Sequence, residues 1–95
     1  MFLSIKKRDG RVAAFDEAKI TRAIWNAGIA TGEFGESEAL ELKDKVIAQA
    51  LKEIRTTIPG VEQIQDIVED TLLDSHYKKT AKAYILYRDQ HKRMR

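Results

Sequence analysis

From Ile20 onward, apolar residues return every three or four positions in four separate runs, and this spacing constrains the fold more than any other feature. Ile20, Ala23, Ile24 and Ala27 stand at i, i+3, i+4 and i+7 of a first helix, predicted over about 17–30. A second helix, running to about Arg55, carries Ala39, Leu42, Val46, Ala50 and Ile54 as its core stripe, widened by Ile47 and Leu51. A third, about 61–74, buries Val61, Ile64, Val68 and Leu72. A fourth starts near Lys78 and runs to the end, with Ala81, Tyr84, Ile85 and Arg88 on its inner side. The breaks between them are Gly28 to Gly32 with the loop to Glu36, then Thr56 to Gly60 around the single proline, then Ser75-His76. Asp16 and Ser37 are the expected caps of the first two helices.

Ahead of the helices, Phe2, Leu3 and Ile5 form a short β-prone run, and Val12 to Phe15 form another. Asp9-Gly10 between them signals a type I′ turn, which needs φ > 0 at both central residues. Lys7 and Arg8 then end the first strand. A hairpin of two short strands is marginal alone, so it must lie across one end of the helices. The expected fold class is mainly α, formally α+β, with a small N-terminal hairpin cap over a four-helix bundle. Ninety-five residues leave no room for a second core, so residues 1–95 form a single domain. The helical pattern is still in progress at Arg95 with no glycine cap, as expected of a domain excised from the N-terminal end of a longer protein.

Composition excludes several classes. No apolar run approaches the roughly 20 residues that span a bilayer, and 34% of residues are charged, so no membrane partner is expected. Without cysteine there is no disulfide, thiolate nucleophile or thiolate-ligated metal. The N-terminus places its charges after its short apolar stretch, the reverse of a secretory signal, which points to the cytoplasm. His76 and His91 sit in no H-E-x-x-H pattern, the serines have no elbow motif, and Glu62, Asp66, Glu69 and Asp70 read as a solvated face. No catalytic residue and no protein metal site is expected.

Charge is informative once divided along the chain. Residues 1–11 hold four bases and one acid, a balance of +3; residues 33–74 hold eleven acids and four bases, or −7; residues 78–95 hold seven bases and one acid, or +6. Basic ends brought together by folding would make an anion site on a domain whose remaining surface repels nucleic acid. The same pattern is also that of two solvated charged ends. Neither G-x-x-x-x-G-K-[ST] nor G-x-G-x-x-G occurs, which removes the P-loop and Rossmann readings. Lys7 and Arg8 remain, on a hairpin leading into a helix that carries Lys19. That helix's N-terminus adds free N–H groups and a positive dipole end, both favourable to phosphate.

Ile5-Lys-Lys-Arg-Asp-Gly-Arg-Val12, Phe15-Asp-Glu-Ala-Lys-Ile20, Val61-Glu-Gln-Ile-Gln-Asp-Ile-Val68 and Ala81-Lys-Ala-Tyr-Ile-Leu-Tyr-Arg88, in this order and spacing, resemble the ATP-cone domain from about residue 3 to 92. The resemblance implies an allosteric switch that binds ATP or dATP beneath a β cap, with Mg2+ accompanying the triphosphate. It also implies a parent ribonucleotide reductase large subunit, acting on di- or triphosphates and similar to the anaerobic or other non-aerobic forms. The parent and another copy of it would be the partners. Carried over by position, Lys7 and Arg8 match the cap's nucleotide-contacting pair and Lys19 the first-helix lysine near the phosphates. Asp16 matches the cap residue on the nucleoside side, Gln65 a polar residue near the ligand, and Tyr84, Tyr87 and Arg88 the last-helix motif lining the pocket. Tyr84 reads equally as core. Many relatives have a glutamate near Ala13 or Ala14; alanine offers ribose or base no acceptor, which leaves ATP-versus-dATP selectivity open. Two competitors remain: a helical interaction module that no longer binds nucleotide, and a nucleic-acid-binding module using the basic last helix.

Overall fold

The computed structural model describes residues 2–93, as two strands and four helices. Strands β1 (Ser4–Lys6) and β2 (Val12–Ala14) pair antiparallel, with Ile5 opposite Ala13. Helices α1 (Glu17–Thr31), α2 (Glu36–Glu53), α3 (Val61–Asp74) and α4 (Lys78–Arg93) follow. In the bundle α1 packs on α2 and α4, and α3 packs on the same two. The expected run of the last helix through Met94 and Arg95 lies outside the described residues. No helix among the described residues is long and apolar enough to cross a membrane.

The hairpin turn differs from the expected type. Asp9 does not have positive φ; only Gly10 does, at 90°. Gly10 N–H donates to Lys7 O at 2.9 Å and Lys7 N–H donates to Arg11 O at 2.7 Å, so Arg8, Asp9 and Gly10 form a three-residue loop closed by a left-handed glycine. The Asp9 carboxylate fixes it by accepting from Arg11 N–H at 3.0 Å and Arg11 Nε at 2.7 Å. Those bonds, the Arg11 N–H first, hold the Asp9 carboxyl below its ordinary value. The longer loop places Arg8 in the turn instead of on the strand.

The hairpin is fastened to the bundle along β1. Lys6 N–H donates to Pro59 O at 2.9 Å, and Lys6 forms a parallel bridge with Gly60 just ahead of α3. Phe2 and Phe15 meet with tilted rings, 5.5 Å between centroids, and pack against the core. The roof therefore leans on the start of α3, which compensates for strands too short to persist alone.

The first three helices are capped by local chemistry. Asp16 accepts from Ala18 N–H at 3.0 Å, as its cap position predicts. For α2, Gly35 and not Ser37 is the cap residue: the Glu38 carboxylate reaches back to Gly35 N–H at 3.2 Å, and Ser37 falls inside the first turn. Gln63 does the same for Gly60 at the start of α3, at 2.8 Å. The N-terminus of α4 is held from a distance, with Glu33 in the α1–α2 loop accepting both Thr80 N–H and the Thr80 hydroxyl at 2.7 Å.

The core is built from the predicted stripes, with Ile24, Leu42, Val46, Ala50, Ile64, Val68, Leu72, Ala81 and Tyr84 all buried. Two expectations fail at its margin. Leu51 is 47% exposed, because it lies beside the α2 stripe instead of within it, and the inner face of α4 begins with fully buried Thr80, a polar residue that hydropathy had passed over. At Gly28 an added Cβ would meet the Phe34 ring at 2.3 Å, so the α1–α2 loop closes on α1 only because that position lacks a side chain.

Candidate functional site

The strongest concavity for a ligand lies where the hairpin spans the bundle. It is a cavity of about 210 Å³, and its ceiling is Ile5, Lys7, Ala13, Ala14 and Phe15. Asp16, Lys19, Ile20 and Ala23 bring in α1, Val61, Ile64, Gln65 and Val68 bring in α3, and Tyr84 and Tyr87 bring in α4. Helix α2 does not contribute, since it stands opposite, between α1 and α3. Larger depressions along α2 and α3 are shallow and rimmed by carboxylates such as Glu53, Asp70 and Asp74, which suits them poorly to an anion.

Local structure explains how each side chain gets there. Alternation along β1 and β2 turns the paired Ile5 and Ala13 toward the helices. Ile20 and Ala23 belong to the α1 apolar stripe but are only half-buried, because their side of α1 borders the cavity. Ile64 and Val68 likewise serve as core and as wall, whereas Val61, expected to be buried with them, is only half-buried and contributes as wall. Tyr84 is both buried in the core and part of the cavity lining, and its burial pushes the phenol well above its ordinary value. Tyr87 stands 6.3 Å from it, ring centroid to ring centroid, and is 42% exposed at the mouth.

Six of the eight residues singled out from sequence therefore line one cavity: Lys7, Asp16, Lys19, Gln65, Tyr84 and Tyr87. Lys7 and Lys19, from different elements, face the same space. Arg8 and Arg88 stand outside the lining and are held on the carboxylate side of α3. Arg8 donates through Nη2 to Gln65 Oε1 at 2.9 Å, and its Nε lies 3.8 Å from Glu62 Oε2. Arg88 meets Asp66 at 2.8 Å, Glu69 at 3.3 Å and Glu62 at 4.0 Å. Burial alone would lower the Arg88 pKa, but Asp66 and then Glu69 outweigh it and raise it.

Two details depart from expectation. The α1 N-terminus offers fewer free donors than supposed, because Ala18 N–H is taken by the Asp16 side chain and Lys19 N–H by Asp16 O. An anion here would depend on side-chain cations more than on backbone. The α3 carboxylates are also not simply a solvated face: Glu62, Asp66 and Glu69 form a clamp for two arginines. Their spacing of i, i+4 and i+7, one face of a helix, was the readable signal.

Chemically the cavity is an apolar slot with phenol rings on one wall and two ammonium groups at its rim. Such a slot accepts a planar, weakly polar ring while the cations receive a negative group carried with it. Among the described residues, no cluster of His, Asp or Glu could hold a metal ion.

The family whose sequence model is described as "ATP cone domain" matches residues 3–93. The vitamin B12-dependent ribonucleoside-diphosphate reductase of Thermoplasma acidophilum is 39% identical over 100 aligned positions, covering 100% of this chain and 13% of the relative. The ribonucleoside-diphosphate reductase subunit alpha of Chlamydia muridarum is 34% identical, covering 98% of this chain and 10% of the relative. The anaerobic ribonucleoside-triphosphate reductase of Haemophilus influenzae is 37% identical over 82 positions, covering 86% and 12%. The chain thus spans little more than a tenth of the length of the relatives it matches.

Proposed function

This chain belongs to the ATP cone domain family, and on that premise we propose that its cavity binds ATP or dATP and acts as an allosteric sensor for a ribonucleotide reductase. The supporting observation is the convergence of Lys7 and Lys19 on one cavity whose other walls are apolar and aromatic. Adenine would lie between Ile20 and Ala23 on one side and Tyr84 and Tyr87 on the other, with the triphosphate toward the lysines. Asp16 and Gln65 are the polar groups left to meet the nucleoside. Mg2+ would enter with the triphosphate, coordinated by phosphate oxygens and water.

No catalytic group is assigned to this domain. The parent chain, in this reading, reduces ribonucleoside di- or triphosphates in the cytoplasm, with this domain at its N-terminal end, and the names of the relatives include both substrate levels. The domain would act by binding ATP and dATP in different arrangements against the parent or a second copy of it. Coupling of this kind is typically about 1–3 kcal/mol, enough to shift an oligomer equilibrium severalfold or more. A nucleic-acid role for α4 loses Arg88, whose charge is matched by Asp66 and Glu69.

Calorimetric titration tests the site. Each charge-assisted contact is worth about 1.5–3 kcal/mol, so Lys7→Ala and Lys19→Ala should each weaken ATP binding roughly tenfold or more. Unchanged affinity in both variants would remove the cavity from consideration.

A further inference from the structure

We propose that Glu62 is a positioning residue that holds Arg8 off the cavity and competes with an incoming polyphosphate for it. The inference rests on the reading of the cavity as an ATP or dATP site and names a control on its affinity.

Arg8 opens the hairpin loop, next to Lys7 in the cavity ceiling, and its side chain lies across α3 with only 14% exposure. One contact is Gln65, which itself lines the cavity, so the guanidinium rests one side chain away from the space that Lys7 and Lys19 face. The other is Glu62, with 3.8 Å between Nε and Oε2. That separation is an ion pair without a hydrogen bond, and Arg8 Nε is buried with no hydrogen-bond partner. A buried donor left unmade is costly, and a phosphate group offers Nε and Nη the paired acceptors that a guanidinium fork fits. Arg8 is thus parked at a place that does not satisfy it, beside one that could.

Glu62 suits the role of a releasable holder. Its side chain is 50% exposed, which keeps its attraction weak enough for a polyanion to overcome. Neutralising it should leave Arg88 in place, since Asp66 at 2.8 Å and Glu69 at 3.3 Å also hold that arginine. Arg8 has no second carboxylate in reserve, only the neutral Gln65 amide.

The test is an ATP titration of the chain carrying Glu62→Gln, Arg8→Ala, both together, or Glu62→Asp, with melting curves to confirm folding. Glu62→Gln should tighten binding roughly two- to fivefold, the scale of a partly exposed ion pair. Glu62→Asp, which keeps the charge, should fall between Glu62→Gln and the unaltered chain, and Arg8→Ala should weaken binding. The decisive comparison is the double variant, where the gain from Glu62→Gln should vanish because no Arg8 remains to be released. Unchanged or weaker binding in Glu62→Gln would overturn the proposal, as would an equal gain without Arg8, which would mean only a general field effect. Absence of ATP binding by the unaltered chain would overturn the site itself, a result separable from a bound ATP indifferent to Glu62.

Discussion

Thr80 shows how much one residue can carry that hydropathy does not record. It is completely buried, its hydroxyl donates to Glu33 Oε1, and it lies 3.0 Å from the Thr31 hydroxyl, so one side chain joins α4 to the end of α1 and the loop after it. Thr80→Val keeps the shape and removes the donor, and should destabilise the domain by about 1–3 kcal/mol in urea unfolding, the cost of unpaired buried polar groups. Glu33 adds a pH signature. Burial pushes its carboxyl up, but the hydrogen bonds from the Thr80 hydroxyl, Thr80 N–H and Lys79 N–H outweigh that and leave it below its ordinary 4.5. With the folded value below the unfolded one, Glu33 stabilises the fold above that pH and ceases to as pH falls through the folded value. Protection of the first-turn amides of α4 against hydrogen exchange, taken relative to the intrinsic rate at each pH, should fall in acid in the unaltered chain, and Thr80→Val should show a smaller change. None of this was readable beforehand, because Glu33 and Thr80 are far apart in sequence and neither sits in a local motif.

At the scale of elements, legibility followed how local the physics was. The extent of α3 was readable to the residue, because its apolar stripe is bounded by Pro59-Gly60 and Ser75. The hairpin was readable as a hairpin, but its turn type was not: Asp-Gly specifies a tight reversal, while the register and the extra loop residue depend on Lys7 pairing with Arg11. The cap of α2 moved from Ser37 to Gly35 because a glutamate three residues on reaches back farther than a serine can. One contact between elements invites a direct test. Phe34 lies on bare Gly28 and meets the Tyr77 ring edge-on at 4.7 Å, binding the α1–α2 loop to the start of α4. Gly28→Ala would force that ring aside and should cost about 1–3 kcal/mol despite improving helix propensity, read as a drop in melting temperature. A rise would show that Phe34 has another place to go.

For the molecule as a whole, the candidate site was legible as a set of residues before it was legible as a place. Lys7 and Lys19 could be named from the hairpin and the helix it leads into, and Gln65 from the resemblance to the ATP-cone domain, whereas their meeting in one cavity depends on the hairpin crossing the bundle, a long-range event. Binding should accordingly stabilise the entire fold. A ligand at a hundredfold excess over its Kd adds about 2.7 kcal/mol, so ATP should raise the melting temperature in proportion to the logarithm of its concentration, and Lys7→Ala should flatten that dependence. The attachment of Lys6 to Pro59 and Gly60 carries a mechanical corollary. It couples the lid to the threshold of α3, so Lys7 and Gln65 travel together, while Lys19 and Tyr87 ride on the two neighbouring rods. A molecule wedged among them has a hand on each, and whatever surface abuts α1 or α4 would sense its size as a change of spacing.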